Sequence, residues 1–214
     1  MRINILTDNR ESWILPFVDT LKDTISQRHE VKHCFNSEEI AKGDLLILLS
    51  CEKIISSKYL SLNSKNIVVH PSKLPQGKGW SPLAWQILEG RNTIPITLFE
   101  ASEAVDSGKI YIQEFIEFKG HELNNEIKKK QGERTIEMVI NFINNIDSLN
   151  GKEQTGEESF YEKRSSQDSE LNINKSIKEQ FNLLRVVDND RYPAFFIKGG
   201  HKYLLKIHRE VINE

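Results

Sequence analysis

Val68-Val69-His70-Pro71-Ser72-Lys73-Leu74-Pro75-Gln76-Gly77-Lys78-Gly79-Trp80-Ser81-Pro82, together with Val105-Asp106-Ser107-Gly108-Lys109-Ile110, is the text around which the rest of the chain is organised. The apolar run Ile67 to Val69 reads as a buried strand that delivers His70 to its end, where Pro71 and Pro75 stop further ladder pairing. In open α/β sheets ligands bind beyond the carboxyl ends of the strands, so an imidazole there is a candidate functional group. Gly77 and Gly79 let the next loop approach a ligand closely, and Lys78 is its only charge. That loop is expected to hold an anion; a solvated lysine is the alternative. Ser81 and Pro82 carry the cap and first-turn signals of a helix that runs to Gly90, and its amino end would favour a phosphate beside Lys78.

Working outward, Arg2 to Leu6 alternates as a strand and Thr7-Asp8-Asn9-Arg10 forms the loop before a helical pattern over about residues 12–28. No G-x-G-x-x-G follows the strand, so a dinucleotide cradle is not indicated. Asn9, Arg10 and Trp13 stand where they would meet a base or phosphate; a helix cap, a solvated arginine and a core tryptophan are the competing reading. Val31 to Cys34 and the aliphatic run Leu45 to Leu49 read as further strands, the second buried on both faces. Tyr59 to Asn63 reads as a short helix end. Ile94 to Phe99 and Ile110 to Gln113 are strands joined by a connection, Glu100 to Gly108, that carries Asp106. A helix from Leu123 to about Ile146 closes the unit. This alternation predicts an α/β, Rossmann-like, mostly parallel sheet over residues 1–148. Residues 149–214 are expected to form a linker plus a small C-terminal subdomain: an exposed, polar stretch from Asn150 to Glu170, a short helix around residues 176–184, and a β-hairpin pairing Ala194–Ile197 with Tyr203–Ile207 across the Lys198–Lys202 turn.

With 214 residues and 38% hydrophobic content, the chain suffices for one sizeable domain and a modest extension. Its net charge of −2 is spread without a basic stripe, which argues against nucleic acid and membrane partners. The N-terminus reads as a strand rather than a signal peptide, and no apolar run reaches transmembrane length, so a cytoplasmic protein is expected. Cys34 and Cys51 lack C-x-x-C spacing, and His29, His33, His121, His201 and His208 lack metal-ligand spacing; no metal is expected.

The run His-Pro-Ser-x-Leu-Pro-x-x-Lys-Gly, followed 36 residues after the histidine by Asp-x-Gly-x-Ile, resembles the folate-dependent formyltransferase family over about residues 45–142. Leu6-Thr7-Asp8-Asn9, Gly79-Trp80-Ser81-Pro82-Leu83, Trp85 to Gly90 and Asp190 to Phe196 are similar to the nucleotide-sugar N-formyltransferases of the pseudaminic acid pathway. The resemblance implies 10-formyltetrahydrofolate as formyl donor and an amino-deoxy nucleotide sugar, a UDP-linked 4-amino sugar, as acceptor. It makes His70 the general base and Asp106 its partner. It also implies that Cys51, Glu52, Lys53, Ile54, Val105 and Gly108 wall the folate pocket, and that Arg185, Arg191 and Tyr192 flank the acceptor with Lys78, Asn9 and Arg10. Core packing and surface ion pairs are the other reading of that C-terminal group. The family's triad also has an asparagine two residues before the histidine, where this chain has Val68. An aliphatic side chain cannot donate to an oxyanion, and losing such a donor costs about two to three orders of magnitude in rate. Protonated His70, a backbone N–H or a side chain of the Gln76–Ser81 loop is the expected substitute. A formyltetrahydrofolate hydrolase and a folate or nucleotide-sugar binding module weakened at Val68 remain as rivals. The residues after 148 leave no room for the extra barrel of the tRNA-formylating branch, and the hairpin edge makes a homodimer reasonable.

Overall fold

The computed structural model describes residues 1–210. Its main sheet has six strands, β1 (Arg2–Leu6), β2 (Glu30–Cys34), β3 (Gly43–Leu48), β4 (Asn63–His70), β6 (Thr93–Glu100) and β7 (Ile110–Glu117), in the order β2-β1-β3-β4-β6-β7. The first four are parallel; β6 runs antiparallel to β4, and β7 antiparallel to β6. The fold is a Rossmann-like α/β sheet, and β3 explains its centre: all but one of its residues are buried, as expected of a strand covered on both faces.

Helices α1 (Leu15–Ile25) and α4 (Asn124–Asn144) cover one face, where Val18, Leu21, Val139 and Phe142 pack on Ile5, Ile47 and Leu98. The other face collects Leu6, Leu46, Leu48 and Leu60, the last from α2 (Ser57–Leu60). Several sequence boundaries move, β7 among them, which runs on to Glu117. The helix expected over 12–28 is only α1, because Pro16 sits at its first turn and the preceding residues close turns from Asn9 to Ser12 and Ser12 to Leu15. The short helix ends at Leu60, and Asn63 already belongs to β4.

Within α4, a Cβ on Gly132 would lie 2.6 Å from the Phe17 ring of α1. Although alanine favours helix, Gly132→Ala is expected to destabilise the chain by about 1–3 kcal/mol through this overlap. Urea denaturation checks it; an unchanged or raised midpoint would contradict the packing.

The largest departure from the sequence reading is residues 150–170. They are mostly exposed, as expected, but they form a tied-down strap rather than a free linker: β8 (Phe160–Tyr161) pairs in parallel with β5 (Lys78–Gly79). The Tyr161 ring stacks on Trp85 of α3 (Pro82–Leu88) at 6.3 Å between centroids, and its hydroxyl donates to Glu89 at 2.8 Å. Burial and the Glu89 carboxylate push that phenol up to about 12, so it remains a donor. Trp85 Nε1 donates to the Glu162 carbonyl. These anchors join groups 72 or more residues apart in the chain, to which a composition-based reading is blind.

Further on, α5 spans Phe181–Val186 rather than 176–184, since Ser176 folds back on Glu179 as a separate turn. The hairpin is β9 (Ala194–Lys198) with β10 (His201–Leu205), the second strand starting two residues earlier than expected and ending at Leu205. Gly199 and Gly200, both at positive φ, make a two-residue turn. Among the described residues no helix is long and apolar enough to cross a membrane.

Candidate active site

His70 ends β4 as a nearly buried side chain. Its Nε2 lies 2.8 Å from the Gly77 carbonyl oxygen and 3.7 Å from Asp106 Oδ2. A carbonyl only accepts, so the neutral ring carries its proton on Nε2, and Nδ1 holds the lone pair. The carboxylate stands close enough to stabilise a charged imidazole. Asp106 is held at φ 48°, and its Oδ2 accepts the Gly79 N–H at 2.9 Å. The histidine loop and the aspartate loop are thereby tied together across the site.

The glycine loop's donors are already spent. The N–H groups of Gln76, Gly77, Lys78, Gly79 and Trp80 go respectively to Lys73 O, Ser159 Oγ, Ser159 O, Asp106 Oδ2 and Tyr161 O. Lys78 is 1% exposed and places its ammonium on Glu158 at 2.6 Å and Ser107 Oγ at 2.8 Å. Ser81 sits at φ 50° and makes no side-chain cap on the seven-residue α3. The expectation of an anion held by Lys78 at this helix end is therefore corrected: that charge is sealed on Glu158.

His70 and Asp106 open onto a cleft of about 630 Å³. Of the residues singled out in the sequence, Asn9, Cys51, Glu52, Lys53, Ile54, Val105, Arg191 and Tyr192 line it, and Val68 does so beside His70. Asn9 spends its amide on Glu52 and its carbonyl on the Glu11 N–H. Asp8 accepts the N–H groups of Glu52 and Lys53 and so fixes that wall. Three others lie elsewhere. Arg10 stacks its guanidinium over Phe35 at 4.1 Å. Arg185 is 1% exposed and bound by Glu122 and Asn92, so it braces the interior. Gly108 serves the backbone: a Cβ there would meet the Glu100 carbonyl oxygen at 1.8 Å.

The Cys51 thiol is pushed up to about 12, first by burial and then by the Asp8 carboxylate. Near pH 8 it should therefore alkylate with iodoacetamide about a thousandfold more slowly than a free thiol. Rapid labelling at that pH would contradict the packing of this wall.

Residues 16–143 match the model of the formyl transferase family, more than half of the chain. The chain belongs to the formyl transferase family. It is 25% identical over 145 residues to the methionyl-tRNA formyltransferase of Thermodesulfovibrio yellowstonii, covering 66% of this chain and 47% of that relative. The chain spans about half the length of the curated methionyl-tRNA formyltransferases it matches. Among solved structures, a 4-N formyltransferase from Francisella tularensis superposes with a TM-score of 0.75 at 20% identity, covering 99% of this chain and 98% of that one. HypX from Aquifex aeolicus in complex with tetrahydrofolic acid gives 0.76 at 21% identity, over 97% of this chain and 37% of that one.

For a formyl transferase family member, the cleft holds more than the sequence reading found. Lys163 and Arg164, in the strap, also line it. The Lys163 ammonium lies 4.5 Å over the Trp80 ring, and the Arg164 guanidinium lies 5.8 Å over Trp85. Arg164 Nη2 reaches the Asp168 carbonyl at 3.2 Å, but its Nε is buried with no partner among the described residues, and burial lowers its pKa. The adjacent Lys-Arg pair following Phe160-Tyr161 is the signal that was available. Among the described residues no group of three or more His, Cys, Asp or Glu is placed to hold a metal.

Proposed function

We propose that this chain transfers a formyl group from 10-formyltetrahydrofolate to the amine of a nucleotide-linked amino sugar, in the cytoplasm. The observation that carries this reading is a single cleft whose lining gathers His70 and Asp106, apolar side chains and the cations Lys163, Arg164 and Arg191. Ile54, Val68 and Val105 offer apolar surface to a flat folate ring, and the cavity volume falls in the range of about 300–1,000 Å³ usual for such ligands. When bound, the folate supplies an activated formyl carbon. In the same lining, Lys163, Arg164 and Arg191 suit a pyrophosphate, and half-exposed Tyr192 suits a base or sugar ring.

In this reading the acceptor nitrogen forms a bond to the formyl carbon and the bond from that carbon to the donor nitrogen breaks. His70 takes the proton the amine loses and returns it to the departing folate nitrogen, while Asp106 stabilises the imidazolium between the two steps. Val68 offers the oxyanion nothing, and the backbone donors of residues 76–80 are committed. In this reading the positive charge of protonated His70 stabilises the oxyanion, with Ser81 the next donor along the loop.

A UDP-linked 4-amino sugar and a methionyl-tRNA, offered separately with the same donor and analysed by mass spectrometry, test the acceptor. Formylation of the sugar is expected; formylation of the tRNA alone would overturn it, and formate without acceptor would indicate a hydrolase. Arg164→Ala should raise the sugar KM about ten- to a hundredfold with kcat little changed, as for loss of one charge-assisted hydrogen bond. An unchanged KM in steady-state assays would remove Arg164 from the acceptor site.

A further inference from the structure

Lys78 belongs to the chain's most prominent motif, yet it presents no charge to the cleft. We propose that it is a positioning residue that acts on the reaction through Asp106. Its buried ammonium holds Ser107, the residue after Asp106, at 2.8 Å, and Ser107 Oγ donates in turn to the Val105 carbonyl at 2.8 Å. The next residue, Gly79, donates its N–H to the Asp106 carboxylate itself. One lysine thus sits behind both the backbone turn and the side chain of the aspartate. From the strap, Glu158 neutralises Lys78, and Gln154 Nε2 donates to the main-chain oxygens of Asp106 and Gly108 at 2.9 and 2.8 Å.

Why the aspartate requires such a clamp follows from its backbone. Asp106 is a non-glycine residue in the left-handed region, a conformation that persists where surrounding contacts impose it. Released, the turn relaxes toward ordinary φ values and the carboxylate withdraws from His70. A cation suits the clamp because Ser107 Oγ, already donating to Val105, can only accept here, while the strap brings a carboxylate. Gln154 and Glu158 of the strap therefore join Lys78 as positioning residues for the aspartate.

The kinetic part of this inference rests on the proposed formyl transfer; the structural part does not. Lys78→Met should lower kcat about ten- to a hundredfold, the scale of a misplaced catalytic group, with both KM values held within about twofold. Glu158→Gln, which keeps an acceptor oxygen, should lose a smaller share of kcat. In an Asp106→Asn background, Lys78→Met should add less than about a twofold loss, because both act through the same carboxylate. Amide exchange of Gly79, read by NMR on the full chain, should speed up in Lys78→Met. Glu158→Gln carries the same test if Lys78→Met does not fold. A raised acceptor KM at unchanged kcat, additive losses in the double variant, or unchanged Gly79 exchange would overturn the proposal. If the wild-type chain formylates no amine, the functional reading fails, and Gly79 exchange alone then decides whether the clamp exists.

Discussion

His70→Ala should reduce formyl transfer by about three orders of magnitude while leaving folate binding within a few-fold of wild type. The magnitude follows from the double duty that the proposed mechanism gives to this imidazole. In most sites a base and an oxyanion donor are separate groups; here Val68 is aliphatic and the loop amides of residues 76–80 are bonded elsewhere. Removing the ring removes proton transfer and developing positive charge together. Steady-state turnover with binding of the folate measured by calorimetry separates the two effects. A variant retaining a tenth or more of wild-type kcat would show that another group carries the proton.

Glu122→Ala should destabilise the chain by about 3–5 kcal/mol, a large share of the ~5–15 kcal/mol that holds a domain of this kind together. Glu122 and Arg185 are both nearly inaccessible, and their ion pair at 3.3 Å is supported by Lys130 at 2.8 Å. Removing the carboxylate leaves a buried guanidinium with only neutral partners. Burial alone would raise the Glu122 pKa; the Lys130 hydrogen bond, the Lys119 N–H and the Lys130 charge outweigh it and hold it at about 2. Because the folded value lies below the ordinary 4.5, its contribution is fully present above about pH 4.5 and is lost as pH falls through about 2. Urea unfolding between pH 7 and 2 should show this acid slope in wild type and a weaker one in the variant. A variant within about 0.5 kcal/mol of wild type at pH 7 would contradict the role of the pair. The pair also matters to the cleft: Arg185 anchors α5, and Asp188, just beyond it, binds Lys128 of α4 at 2.9 Å in the cleft lining.

The sheet was legible in the sequence because its strands are short aliphatic runs bounded by turn residues, as at Leu45–Leu49 and Ile67–Val69. The juxtaposition of His70 with Asp106 was legible only as a spacing. Local patterning could not reveal that the lysine between two glycines would turn inward, since its partner, Glu158, lies 80 residues away in a stretch with no apolar period. The same blindness hid Arg164 and misplaced Arg185, which looks like a ligand-facing arginine until Glu122 is found beside it. A charged residue's role depends on which distant partner the fold brings, whereas an aliphatic run announces its burial by itself.

Donor labelled with carbon-13 at the formyl carbon, incubated with a UDP-linked 4-amino sugar and the wild-type chain, tests formyl transfer most directly when the label is followed by NMR. The label is expected in a new amide on the sugar, at a rate that collapses in His70→Ala. Label recovered only as formate, or left on a folate that binds without turnover, would contradict it.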